Sequence, residues 1–167
     1  MISEKEIREA VEREIKTFGL KVYDIDLPSV REGVFRVYVW KGKGEDPSKP
    51  IPVGIEDCLL VTRRLQDALI VEGIFRRDLT VEVSSPGVNR RLRDEEHFRD
   101  AVGEQIFIKV RTDKGARVIR GLLKDFRSQE QKILIVKESG KDKEKKEDKL
   151  EEFFLEDIIE ARVDYPF

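Results

Sequence analysis

The sequence predicts an α+β chain in two parts: an α-β-β-α-β domain over residues 1–92 and a small β-barrel over residues 93–167. Three observations predict it. Two stretches of helical periodicity bracket strand-like runs in the first half. After Glu104 every patterned run is strand-like. Between the halves, Ser84-Ser-Pro-Gly87 interrupts both patterns.

The first helix starts at Ser3, which can cap the orphan amides, with Glu6 completing a capping box. Ile2 and Ile7 occupy the staple positions around that cap. Ile7, Ala10, Val11, Ile15 and Phe18 form one apolar stripe, and Gly19 is the expected stop. Leu20, Val22 and Ile25 lie in a β-prone stretch that ends at Pro28. The run Val34 to Trp40 is a second strand, with Phe35, Val37 and Val39 on one face and a hairpin turn at Arg31-Glu-Gly33. Residues 41–52, rich in Gly, Pro and charge, read as a loop; Gly42-Lys-Gly44 lacks the spacing of a phosphate cradle. Ile55 to Val71 returns to helical period, with Ile55, Leu59, Thr62, Leu65 and Leu69 on the expected core side. Leu79 to Val83 alternates as a third strand, so two helices cover a three-stranded sheet.

Asp94 can cap a short helix over Glu95–Val102, stopped by Gly103. Strand-like runs then follow at Ile106–Arg111, Val118–Phe126, Lys132–Val136, Glu152–Leu155 and Ala161–Val163. Short strands at this density indicate a barrel of SH3-like or Sm-like type, with the domain boundary near Leu92 and Arg93. Residues 137–149 contain no apolar side chain and read as a mobile, solvated loop.

Composition narrows the function. The 167 residues hold one Cys, one Met, one Trp and a formal net charge of −2. No apolar run exceeds four residues, which excludes a membrane span and a signal-peptide core and makes a cytoplasmic protein the expectation. One cysteine excludes an internal disulfide and a Cys-based zinc site, and no other ligand cluster suggests a metal or cofactor. Abundant Glu, Lys and Arg beside a single Asn is the thermophile pattern.

Catalysis finds little support. His97 is the only imidazole, on a short helix without a nucleophile beside it, and reads as a surface or interdomain histidine. Cys58, beside Leu59 and Leu60, reads as a buried small hydrophobe. Ser84 and Ser85 lack a nucleophile elbow. Asp24 and Asp26 alternate on a strand and read as its wet face. An enzyme acting on RNA would need a catalytic centre that the sequence does not offer.

Binding finds more. Residues 109–127 carry seven Lys or Arg against two Asp, and residues 76–93 carry five Arg against two acids. Residues 128–167 carry eight basic and twelve acidic side chains, so the charge is segregated although the sum is near zero. On a hairpin, Lys109, Arg111, Arg117 and Arg120 are expected on one side as a phosphate-contacting patch, and Lys114 is counted among the binding residues. An ordinary ion-pair network is the competing reading. A Gly-x-x-Gly clamp and an aromatic platform are both missing, so base-specific reading is unsupported; a general RNA-binding Sm-like regulatory module is the alternative function.

At Val83-Ser-Ser-Pro-Gly-Val-Asn-Arg-Arg-Leu92, continued by Glu96-His97-Phe98 and Ala101-Val102-Gly103, the chain resembles the ribosome maturation factor RimP family. Gly54-Ile-Glu-Asp-Cys58, Val61-Thr-Arg-Arg64, Arg120-Gly-Leu-Leu123 and Leu155–Arg162 resemble further family segments, in the same order. The resemblance implies an α/β domain and an SH3-like barrel. It implies a non-enzymatic factor for maturation of the small (30S) subunit. It also implies association with immature small subunits and with a ribosomal protein of the decoding region, the latter chiefly through the barrel. A monomer is expected, with small-subunit rRNA as the partner of the basic residues. Asn89 and Arg91 stand where the family motif has Asp and Pro. Ser84, Ser85, Pro86 and Gly87 suit an interdomain turn, with Gly87 at a position of positive φ and Arg90 paired to a carboxylate. Arg91 and Arg93 join the expected RNA-contacting residues.

Overall fold

The computed structural model describes residues 3–28, 33–42, 45, 51–74, 79–137 and 149–164. The chain divides into two compact units, Met1–Pro86 and Gly87–Phe167. The boundary expected from the sequence, near Leu92 and Arg93, lies about six residues beyond this division. Leu92 is buried in the second unit's core, and its amide donates to Ala161 O at 2.9 Å.

The first unit contains α1 (Glu4–Lys16), β1 (Lys21–Asp26), β2 (Val34–Trp40), α2 (Ile55–Val71) and β3 (Thr80–Ser84). Ser3 and Glu6 close the capping box, Ser3 Oγ accepting the Glu6 amide at 3.2 Å and the Glu6 carboxylate accepting the Ser3 amide at 2.6 Å. Ile2, the other half of the expected staple, and the turn at Arg31 lie outside the described residues. Strand β1 pairs antiparallel with β2, and β3 pairs parallel to β2. A parallel pair requires a crossover, which α2 supplies. Phe35, Val37 and Val39 are fully buried among Ala10, Val11 and Ile15 of α1 and Val61, Leu65 and Leu69 of α2.

Two expectations for this unit fail. Ile55 is 81% exposed and Leu59 56% exposed, although both lie on the expected core side of α2. The helix carries two apolar stripes, and the one through Val61, Leu65 and Leu69 faces the sheet. Asp24 is buried, not wet, because the register shifts between Val22 and Asp24 and breaks the alternation of β1. Its carboxylate accepts the Ile25 amide at 2.9 Å, while Asp26 accepts the Tyr38 hydroxyl at 3.0 Å.

The second unit contains α3 (Glu95–Asp100), β4 (Gln105–Thr112), β5 (Gly115–Arg127), β6 (Lys132–Lys137), β7 (Lys149–Phe154), a 3-10 turn (Leu155–Asp157) and β8 (Ile158–Val163). The strands form one antiparallel sheet in the order β7-β6-β5-β4-β8. Strand pairing among the described residues does not close this sheet into the expected barrel. Ile106, Ile108, Val110, Ile119, Leu123, Ile133 and Ile135 build its core with Leu92 and Phe98. Lys137 and Lys149 pair across β6 and β7. The segment between them, expected as a mobile loop, lies outside the described residues, as does most of 41–52.

Candidate nucleic-acid interface

The candidate interface is the outer face of β4, β5 and β8. Its composition follows from strand period. Ile106, Ile108 and Val110 point into the core, so Phe107, Lys109 and Arg111 point outward. A two-residue turn, Asp113-Lys114, joins β4 to β5, with Thr112 opposite Gly115. That turn sets the register, placing Arg120 opposite Phe107 on the outer face. On the other side of β4, Arg162 of β8 is opposite Phe107 and Glu160 is opposite Lys109. Arg91 adds one bridge to the far edge of β8, directly opposite Arg162. Arg91, Arg162, Phe107 and Arg120 therefore form one row across the sheet.

Phe107 is only 9% exposed despite pointing outward, because two guanidinium groups cover it. The Arg162 Cζ lies 4.0 Å from the ring centroid and the Arg120 Cζ 5.4 Å. Both lie inside the cation–π range of about 6 Å. Each arginine also touches an acid at the surface: Arg162 pairs with Glu160 at 3.2 Å and Arg120 with Asp164 at 3.7 Å. Among the described residues Lys109, Arg111 and Lys114 have no ion-pair partner.

Of the residues expected on one side, Lys109, Arg111 and Arg120 come together and Arg117 does not. Arg117 is opposite Val110, on the core-facing parity, and reaches across to Glu151 of β7 at 3.1 and 3.3 Å. Arg117 and Arg120 lie three positions apart, an odd step, so one continuous strand cannot present both on one face. A hydrogen bond from Lys137, reinforced by Arg117, holds the Glu151 carboxyl below the usual glutamate range. Arg117 is thus part of a structural ion cluster. Sequence reading missed Phe107 and Arg162. Both were visible in principle, since each alternates with core residues.

Arg93 is exposed, and its amide donates to His97 Nδ1 at 3.0 Å. His97 is not a surface residue but is 4% exposed, and its own amide donates to Asp94 Oδ1 at 2.9 Å. The imidazole pins the start of α3. Arg91 and Arg93 also rim a groove of about 350 Å³ floored by Leu92, Phe98, Leu155 and Ile158. Arg90 is buried with Glu104, whose carboxylate takes both guanidinium nitrogens, Nη1 at 3.3 Å. Gly87 has φ +77°, as the turn residues require. Neither the Ser84 nor the Ser85 hydroxyl makes a hydrogen bond among the described residues.

Cys58 is half-exposed on the margin of the buried α2 stripe rather than in the core. Burial, helped by the neighbouring Asp57 charge, pushes its thiol up, which disfavours the reactive thiolate. Among the described residues no group of three His, Cys, Asp or Glu side chains is placed to hold a metal. No described helix is long and apolar enough to cross a membrane. The outer face of β4, β5 and β8 offers an array of cations on a sheet. Residues 10–89 match the family model of the RimP N-terminal domain, so the match covers most of the first unit and ends before this face.

Proposed function

The chain carries the RimP N-terminal domain and so belongs to the RimP family of ribosome maturation factors; from that premise we propose that it assists maturation of the small (30S) ribosomal subunit without catalysing a reaction. It binds immature subunits as a cytoplasmic monomer, through small-subunit rRNA and a ribosomal protein of the decoding region. The second unit is read as an SH3-like barrel. Long β5 supports this, pairing with β4 over its first half and β6 over its second. So does the 3-10 turn before the last strand. Arg91, Arg93, Lys109, Arg111, Lys114 and Arg120 contact rRNA phosphates. The Ser84–Gly87 segment and Arg90 shape the junction rather than the contact.

The observation that carries the RNA assignment is the run of Lys109, Arg111 and Lys114, cations without ion-pair partners among the described residues, beside Arg120. A structural network would have paired them, as it pairs Arg117. The test is co-sedimentation of the full chain with immature small subunits over a range of salt. The Lys109→Glu/Arg111→Glu/Arg120→Glu variant is expected to lose binding while keeping its circular dichroism spectrum. Undiminished co-sedimentation removes the assignment.

A further inference from the structure

We propose that the outer face of β4 is a track for one extended, unpaired RNA strand, ending at a clamp formed by Arg162, Phe107 and Arg120. The proposal rests on the RNA-contact reading above and adds the kind of RNA and the device that holds it.

Spacing comes first. Phe107, Lys109 and Arg111 are alternate residues of one strand, so their side chains stand about 7 Å apart. That is comparable to the distance between successive phosphates of a nearly extended RNA strand. Lys114 continues the line at the turn. Duplex RNA would call for contacts to two backbones across a groove. These cations follow a single line along β4 and one row across it.

The clamp explains Phe107. A phenyl ring on an outer sheet face is an ordinary cost, but here two arginines lie over it. Stacking restricts long side chains before any ligand arrives, which lowers the entropy lost on binding. Their carboxylate partners, Glu160 and Asp164, are solvent-accessible and hold them weakly, so a phosphate can displace them. Phe107 is thus a positioning residue, and Arg162 and Arg120 are the groups that touch phosphate.

The test is fluorescence anisotropy of the full chain with a labelled oligouridylate and with an RNA duplex of equal length, at several salt concentrations. The single strand is expected to bind tighter than the duplex. Arg162→Gln should reduce the slope of log K against log salt by about 0.7, the loss of one phosphate contact. Phe107→Leu changes no charge, yet should weaken binding about fivefold, while Phe107→Tyr should bind like the parent chain. A thermal melt of each variant separates misfolding from lost contact, and the variant at half-buried Arg162 stands if Phe107→Leu unfolds. Equal or tighter binding of duplex overturns the track. Parental affinity of both Arg162→Gln and Phe107→Leu overturns the clamp. If either fails while the triple charge reversal still abolishes particle binding, the RNA-contact reading survives alone. If the triple variant binds particles normally, that reading falls instead.

Discussion

At the scale of single residues, the second unit depends on two features that change little in sequence and much in energy. Arg90 and Glu104 are both buried, and their paired charges are costly to separate. Glu104→Ala should lower stability by about 3 kcal/mol in urea unfolding, and Arg90→Met/Glu104→Leu should recover most of that loss. Gly121 is the second. A Cβ there would meet Val136 O at 2.5 Å and Ile135 Cγ2 at 2.7 Å, both on β6. Gly121→Ala should therefore cost roughly 2 kcal/mol, because a backbone atom must move. Glu151 gives a pH signature. Its folded pKa is lowered by Lys137 and Arg117, so its contribution is present above the ordinary glutamate value of 4.5 and is lost as pH falls through the lowered folded value. The stability difference between the parent chain and Glu151→Gln should be seen at neutral pH and should disappear in acid.

Among elements, helices and strands were legible wherever one pattern dominated. Ser3 and Glu6 announced α1, and the Phe35/Val37/Val39 alternation announced β2. Helix α2 was legible as a helix and ambiguous as an amphipath, because Ile55 and Leu59 compete with Val61, Leu65 and Leu69. Periodicity locates apolar stripes but does not choose between two of them. Leu65→Ala should cost about 3 kcal/mol in chemical denaturation. Leu59→Lys, on the exposed stripe, should stay within about 0.5 kcal/mol of the parent chain. The same limit applied to β5. Its cations were evident, but their sides depended on register, and register depended on the Asp113-Lys114 turn. The bulge that buries Asp24 had no sequence signal at all.

For the whole molecule, net charge was a poor guide and its distribution a better one. The formal charge of −2 conceals basic runs on β4 and β5 and acidic residues around β7 and β8. Neutralising the same three cations, Lys109→Gln/Arg111→Gln/Arg120→Gln, should flatten the salt dependence of RNA binding by roughly 2 in slope. The change of period between the two halves was legible in the sequence. Whether residues 87–92 join the first core or the second depends on where Leu92 packs.

Cys58 has a practical consequence. It is the chain's sole thiol, it is half-exposed, and it sits in the unit that does not carry the cation row. A maleimide dye therefore has one attachment point, and its coupling should speed up as the solution is made mildly alkaline. The protein can then be tracked by its own fluorophore while every charge on the sheet stays in place.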